Sequence, residues 1–202
     1  MARWEPNARA RLVRAALELC TAQGYPATTV AQIADRAGLT KTTFFRHFPD
    51  KREVLFAGQD EHSRILAEAI AAAPVEATPI EAVAAGISTL ATTFTPERRE
   101  FGRMLIALID ANDDLKERAA YKHARLAEAT TEALKAREVP TGTAGLAAEL
   151  GVRAFHEAFA RWIEPGAERS LLALTQAGLD RLRTAAAQLD TPAPAERASL
   201  PL

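Results

Sequence analysis

Apolar residues recur at the helical period along almost the whole chain, and no stretch alternates apolar and polar residues long enough to make a strand. Leu12, Ala16 and Leu19 fall at i, i+4 and i+7, and Val13, Leu17 and Cys20 widen the stripe. With Gly24 as a stop, a helix is predicted over Asn7–Gln23, with Arg9, Arg11 and Arg14 off the stripe. After Gly24-Tyr25-Pro26, Thr28 or Thr29 can cap a short helix over Val30–Ala37, on which Val30, Ile33, Ala34 and Ala37 keep the period. Gly38 ends it, and Thr40 caps a second short helix carrying Phe44 and Phe48 at i, i+4. Pro49 and Asp50 break the chain, which restarts as one long helix predicted over Lys51–Ala72.

Pro74 and Pro79 bracket a loop, beyond which five more helices are expected, over Ile80–Phe94, Glu97–Ala111, Leu115–Arg137, Gly142–Ile163 and Ala167–Leu189. The expectation is an all-α chain of about nine helices: a three-helix N-terminal head over residues 1–52 and a helical body over 53–190. The tail from 191 to 202, with Pro192, Pro194 and Pro201 among Ala, Glu and Ser, has too little apolar content to pack and is expected to be disordered.

Composition narrows the class. No apolar run in the 202 residues approaches the ~20 that a bilayer-spanning helix needs, and Met1-Ala2-Arg3-Trp4-Glu5-Pro6 does not read as a secretory leader, so a soluble, cytoplasmic protein without membrane partners is expected. One cysteine, Cys20, allows neither an internal disulfide nor a thiolate metal cluster, and its apolar neighbours mark it as a small buried hydrophobe. The net charge of −1 hides an asymmetry: residues 1–52 hold nine Lys/Arg against four Asp/Glu, a net of +5, which leaves −6 for the rest. A basic head on an acidic body suits a protein that offers one end to a polyanion.

The two short helices supply the chemistry. They can cross steeply within so few residues only if the contact is small and the turn accepts a positive φ, needs that Ala34 and Gly38 meet. Ile33, Leu39 and Phe44 form the shared apolar centre, closed by Phe48. Thr40, Lys41, Thr42, Thr43, Phe45, Arg46 and His47 remain exposed on the second helix. Hydroxyls and cations there reach phosphates and base edges in a major groove, while Thr methyls and Phe meet thymine methyls.

The run from Ala34 through Gly38-Leu39-Thr40-Lys41-Thr42-Thr43-Phe44-Phe45-Arg46-His47-Phe48 to Lys51-Arg52-Glu53-Val54-Leu55, with its Gly24-Tyr25 and Thr28-Thr29 lead-in, resembles the signature of the tetracycline-repressor (TetR) family over residues 9–56. The resemblance implies a helix-turn-helix head that binds an operator in double-stranded DNA, a homodimer, and a C-terminal ligand domain whose occupancy by a small effector releases DNA. Carried over by position, it implies a DNA-binding set that begins with Thr28, in which Thr29 and Lys51 meet phosphate at the starts of their helices, Thr42, Thr43 and Arg46 lie nearest the bases, and Lys41 reaches either. His47 matches a backbone-contacting position or merely caps its helix. Two positions depart from the pattern: Phe45 stands where tyrosine is common, removing a phosphate-directed hydroxyl, and Thr42 where glycine is frequent, adding a side chain toward the groove.

For the body, Leu171, Leu174, Gly178, Leu182 and Ala185 form a stripe with small residues at its middle, expected to be a dimer seam or else internal core. Phe94, Phe101, Met104, Leu105, Ile109, Tyr121, Phe155, Phe159 and Trp162 are the candidate lining of a pocket for a small, largely apolar effector, although each taken singly reads more readily as plain core. His123 and His156 lack a partner at metal-ligand spacing, and no metal or cofactor is expected. There is no phosphate-binding Gly loop and no nucleophile with an evident base, which argues against an enzyme. A basic head that docks an acidic protein is the remaining rival.

Overall fold

A computed structural model of the chain describes residues 7–189, so the tail predicted from residue 191 lies outside the described residues. Among these residues there are ten α-helices, one 3-10 turn and no strand.

Helix α1 (Ala8–Gln23) buries Leu12, Ala16, Leu17 and Cys20, and Gly24 at φ 87° ends it by donating its N–H to Cys20 O. Helix α2 (Val30–Arg36) opens with a reciprocal cap: Thr29 Oγ1 accepts from Gln32 N, and Gln32 Oε1 accepts from Thr29 N. Gly38 turns the chain at φ 65°, and a Cβ there would lie 2.7 Å from Arg11 Nη2. The Arg11 guanidinium donates to Ala37 O, so this arginine closes the C-terminal end of α2 rather than simply facing solvent. Helix α3 (Lys41–His47) is capped by Thr40, whose Oγ1 accepts from Thr43 N.

The long helix predicted from Lys51 is two helices, α4 (Lys51–Leu55) and α5 (Gln59–Ala71), parted at Phe56-Ala57-Gly58. Val54, Leu55 and Phe56 belong to the core of the head, whereas Leu66 and Ile70 belong to the core of the body. The break sends these two apolar sets in different directions, and glycine is the residue there that loses least by leaving a helix.

The body comprises α5, α6 (Pro79–Thr92), α7 (Arg99–Asp110), which follows the 3-10 turn Pro96–Arg98, α8 (Asp113–Lys135), α9 (Thr141–Trp162) and α10 (Leu171–Ala187). Helix α6 has the Thr78/Glu81 capping box with Pro79 at its first position. It approaches its neighbours closely through two glycines: Gly86 faces Leu66 and Ile70, and Gly151 of α9 faces Val83. Helix α10 starts at Leu171, four residues after the predicted Ala167, because Gly166 at φ 78° prolongs the turn and Ser170 is the residue whose hydroxyl caps the helix.

The stripe expected to be a dimer seam is mostly internal. Leu171 is buried, Leu174 and Leu182 pack on the body core, and Gly178 sits over the Ala154 backbone of α9, so the close approach it permits is between two helices of one chain. Ala185 alone of that set is exposed.

The head is not closed by its own residues. Its core takes in Leu108 and Ile109 from the end of α7 and Leu115 from the start of α8. Glu53 of α4, 15% exposed, is held by Arg118 and Lys122 of α8, the latter at 3.2 Å. Burial pushes this carboxyl up, but the hydrogen bonds and charges of the two cations hold it below its usual value. The packing of the head thus runs to Phe56 and borrows from the body, beyond the division expected at residue 52.

Candidate nucleic-acid interface

Phe44 and Phe48 are driven into the core of the head at 0% and 2% exposure, which fixes the rotation of α3 and turns its other side outward. Lys41, Thr42, Phe45 and Arg46 form that outer face, with Thr40 at its start and Thr43 and His47 half-buried along its edge. Phe45 is 55% exposed and meets Phe44 edge-on at 5.5 Å, so a large apolar ring is held rigidly out into solvent. The Thr43 and Thr40 hydroxyls lie 3.0 Å apart, which ties Thr43 into the cap. Burial lowers the His47 pKa, and the charges of Arg46 and Arg9 lower it further. Its Nε2 is enclosed without a hydrogen-bond partner among the described residues.

Thr28, counted among the expected DNA-binding residues, and Lys51, an expected phosphate ligand, have other duties. Thr28 is 1% exposed and donates its hydroxyl to Gly24 O at 2.8 Å, so it shapes the loop and does not belong to the outer face. Lys51 donates to Tyr25 O at 2.7 Å and Thr28 O at 2.9 Å, and its ammonium stands 4.0 Å from the centre of the Tyr25 ring. It fastens α4 to the loop that leads into α2, a long-range partnership that spacing along the chain does not reveal. Thr29, at the start of α2, is exposed.

Between the head and the body lies a crevice of about 1290 Å³. Of the expected pocket residues it is lined by Phe94, Phe101, Leu105 and Phe159. The others lie elsewhere: Phe155 and Trp162 are buried in the body core, Ile109 is buried in the core of the head with Met104 packed against it, and Tyr121 is 52% exposed beneath the Arg118 guanidinium. The head contributes walls that pattern reading missed, among them Arg9, Arg14, Leu39 and Arg46. His123 and His156 are not isolated. Their rings stack at 4.0 Å, and His156 Nδ1 is 2.8 Å from Val152 O.

The sequence profile of bacterial regulatory proteins of the tetR family matches residues 12–57. Over 103 residues the chain is 33% identical to the HTH-type transcriptional regulator TtgW of Pseudomonas putida, a match covering 48% of this chain and 72% of that one. The chain belongs to the TetR family of bacterial regulators. Another member, TcmR of Streptomyces glaucescens, is 40% identical over 75 residues, and that match spans 37% of this chain but only 33% of TcmR. Among solved structures, a putative transcriptional regulator from Pseudomonas aeruginosa PAO1 superposes with a TM-score of 0.60 at 18% identity over 92% of this chain and 95% of that one. The TetR-family repressor FadR of Thermus thermophilus, solved with lauroyl-CoA, gives 0.50 at 25% identity over 92% and 98%. The family profile lies over the α1–α4 head, the part whose outward face has just been described. Among the described residues, no helix of this TetR-family chain is long and apolar enough to cross a membrane.

Proposed function

We propose that the protein is a cytoplasmic transcriptional repressor that binds a pseudo-palindromic operator as a homodimer and is released by a small, largely apolar effector. The observation that carries the reading is the outer face of α3, where Lys41, Thr42, Phe45 and Arg46 project from a rotation fixed by Phe44 and Phe48. A rigid α3 presenting two cations, a hydroxyl and an aromatic ring supplies both phosphate and base-edge contacts. Thr40, Thr43 and His47 edge this face, and Thr29 stands at the start of α2.

Arg46→Ala is expected to lower affinity by about 1–3 kcal/mol and to change the preferred sequence, because a base contact is lost. Lys51→Ala weakens binding on all sequences alike, since it loosens the loop that seats α2. Selection of bound sequences from a random DNA pool, with affinity read across salt concentrations, checks both. If neither variant departs from wild type on any site, α3 is not the reading face. If affinity does not fall with salt, phosphate contact itself is refuted.

Dimerisation is supported by geometry as well as by the need for two half-sites. Leu146 on α9 is 72% exposed and edges a shallow groove of about 370 Å³ with Pro79, Ile80, Leu150 and Ala186. A second copy would cover this apolar strip, so the proposed seam moves from the inner stripe of α10 to the outer side of α9 and α10. Light scattering is expected to give a mass about twice 21.8 kDa, and Leu146→Arg to shift it toward one subunit. A wild-type monomer at micromolar concentration would contradict the seam. The lauroyl-CoA held by Thermus thermophilus FadR supports an apolar effector for this fold.

A further inference from the structure

The crevice between head and body has two unlike surfaces. Its floor is apolar and mainly aromatic, built from Phe56 of the head and Phe94, Phe101, Leu105 and Phe159 of the body. Its rim carries the cations Arg9, Arg14, Arg46 and Arg98, against Glu97 as the lining carboxylate. Arg9 stands 5.2 Å from the Phe48 ring, but the guanidinia of Arg14, Arg46 and Arg98 have neither an ion pair nor a hydrogen bond among the described residues. Elsewhere on the surface arginines sit on carboxylates, as Arg36 does on Glu18, Arg103 on Glu100 and Arg153 on Glu157. Four cations facing a single carboxylate raise the local potential and favour an anion.

DNA alone does not account for this arrangement. Arg98 belongs to the body, on the 3-10 turn before α7, and a phosphodiester backbone has no use for a floor of phenylalanines. Two imidazoles complete the lining. The His62 ring lies against Phe94 at 5.2 Å, and neither of its nitrogens has a hydrogen-bond partner among the described residues. Burial, and then the charge of Arg98, bring its pKa to about 4, so at neutral pH it offers a hydrogen bond and no charge. His47, with its unpartnered Nε2, lines the head side.

We propose that this crevice is the effector site and that its occupant is an amphipathic anion: an aromatic or long-chain body ending in a carboxylate, sulfonate or phosphate, which competes with DNA for Arg46. The apolar body lies on the phenylalanine floor and the anionic head lies among the rim guanidinia. Because Thr40, Thr43 and Arg46 of α3 line the same crevice, the occupant touches the reading helix directly. Release then needs no displacement relayed from a remote site: the ligand neutralises and holds a side chain that DNA requires. Only this last consequence rests on the DNA-binding reading above; the ligand class rests on the crevice alone.

The test is a fluorescence titration of the full-length protein with two probes that differ by one group, anilinonaphthalene sulfonate and its uncharged parent phenylnaphthylamine. The sulfonate is expected to bind saturably and at least about tenfold more tightly than the parent, as charge-assisted contacts allow. Arg98→Gln, an exposed change outside the reading face, is expected to weaken the sulfonate about fivefold, to leave the parent unchanged, and to spare DNA binding in the absence of probe. Saturating sulfonate is expected to lower wild-type affinity for DNA about tenfold, and genomic DNA fragments at low salt to displace the sulfonate in turn. Equal affinity for the two probes overturns the anionic class. Sulfonate binding indifferent to Arg98→Gln overturns the site, and unchanged DNA affinity under saturating sulfonate overturns the competition. If no DNA is bound even at low salt, the regulatory reading fails while the probe titrations still decide the crevice.

Discussion

Acidified from pH 7 to pH 4, the protein is expected to lose on the order of 5 kcal/mol of folding free energy to two half-buried imidazoles. His62 and His156 both have pKa values brought from 6.5 to about 4. For His62 burial is the largest cause and Arg98 the next. For His156 burial again leads, followed by the charge of His123 stacked on its face; the Val152 carbonyl works in the opposite direction, and His62 adds a small repulsion. Above pH 6.5 both rings are neutral in the folded and unfolded chain, so they do not affect the balance. Between 6.5 and 4 the unfolded chain binds a proton at each ring that the folded chain does not, and stability falls with pH. Each ring is worth about 3 kcal/mol when this gap is complete, and their shared neighbourhood makes the sum less than twice that. A domain stable by only ~5–15 kcal/mol is brought close to unfolding. Urea midpoints measured between pH 7 and pH 4 for wild type and for the double variant His62→Gln, His156→Asn check this. The double variant is expected to lose much less, and an identical acid loss in both proteins would refute the assignment to these rings.

Gly151→Ala is expected to destabilise the protein by about 2 kcal/mol, a sign opposite to that of an ordinary glycine replacement in a helix. Alanine is favoured over glycine by about 1 kcal/mol in a helix interior. At this position, however, an added Cβ would lie 2.1 Å from Val83 Cγ1, with Ile87 Cγ2 at 3.6 Å. Forcing α6 and α9 apart, or Val83 off its rotamer, costs about 3 kcal/mol, which outweighs the helical gain. For a chain of this length Tm should drop by about 4–8 °C. Val83→Ala removes the clashing methyl, so the double variant Val83→Ala, Gly151→Ala should recover more than additivity allows, with a coupling of about 1–3 kcal/mol. Strictly additive thermal shifts would mean that the two residues do not meet.

The head was legible because its signals are local. Gly24, Thr29, Gly38, Thr40 and Asp50 each mark a helix boundary within a few residues, and the structure places α1 and α2 within one residue of the pattern and starts α3 after its Thr40 cap. What failed was set by partners distant in sequence. The run from Lys51 onward reads as one helix, and its break at Gly58 follows only from the separate destinations of Phe56 and Leu66. Gly178 signals a close approach without saying which helix approaches, and Ala154 of the same chain took the place expected for a partner. Lys51 was expected at a phosphate, but Tyr25 O and Thr28 O, distant in sequence, accept from its ammonium. Phe94, Phe101, Leu105 and Phe159 were identifiable as apolar lining, whereas the arginine rim draws on α1, α3 and the turn before α7, which no periodicity connects.

The borrowed floor of the head bears on protein engineering. Leu108, Ile109 and Leu115 complete the core around Phe44, and Glu53 is anchored to Arg118 and Lys122. A sensor made by splicing this reading head onto another body, with the junction cut after α4, would carry unfilled apolar space and a stranded carboxylate. The recombination unit is therefore discontinuous: residues through Phe56 must travel with the end of α7 and the first turns of α8, or those positions must be rebuilt on the recipient to match.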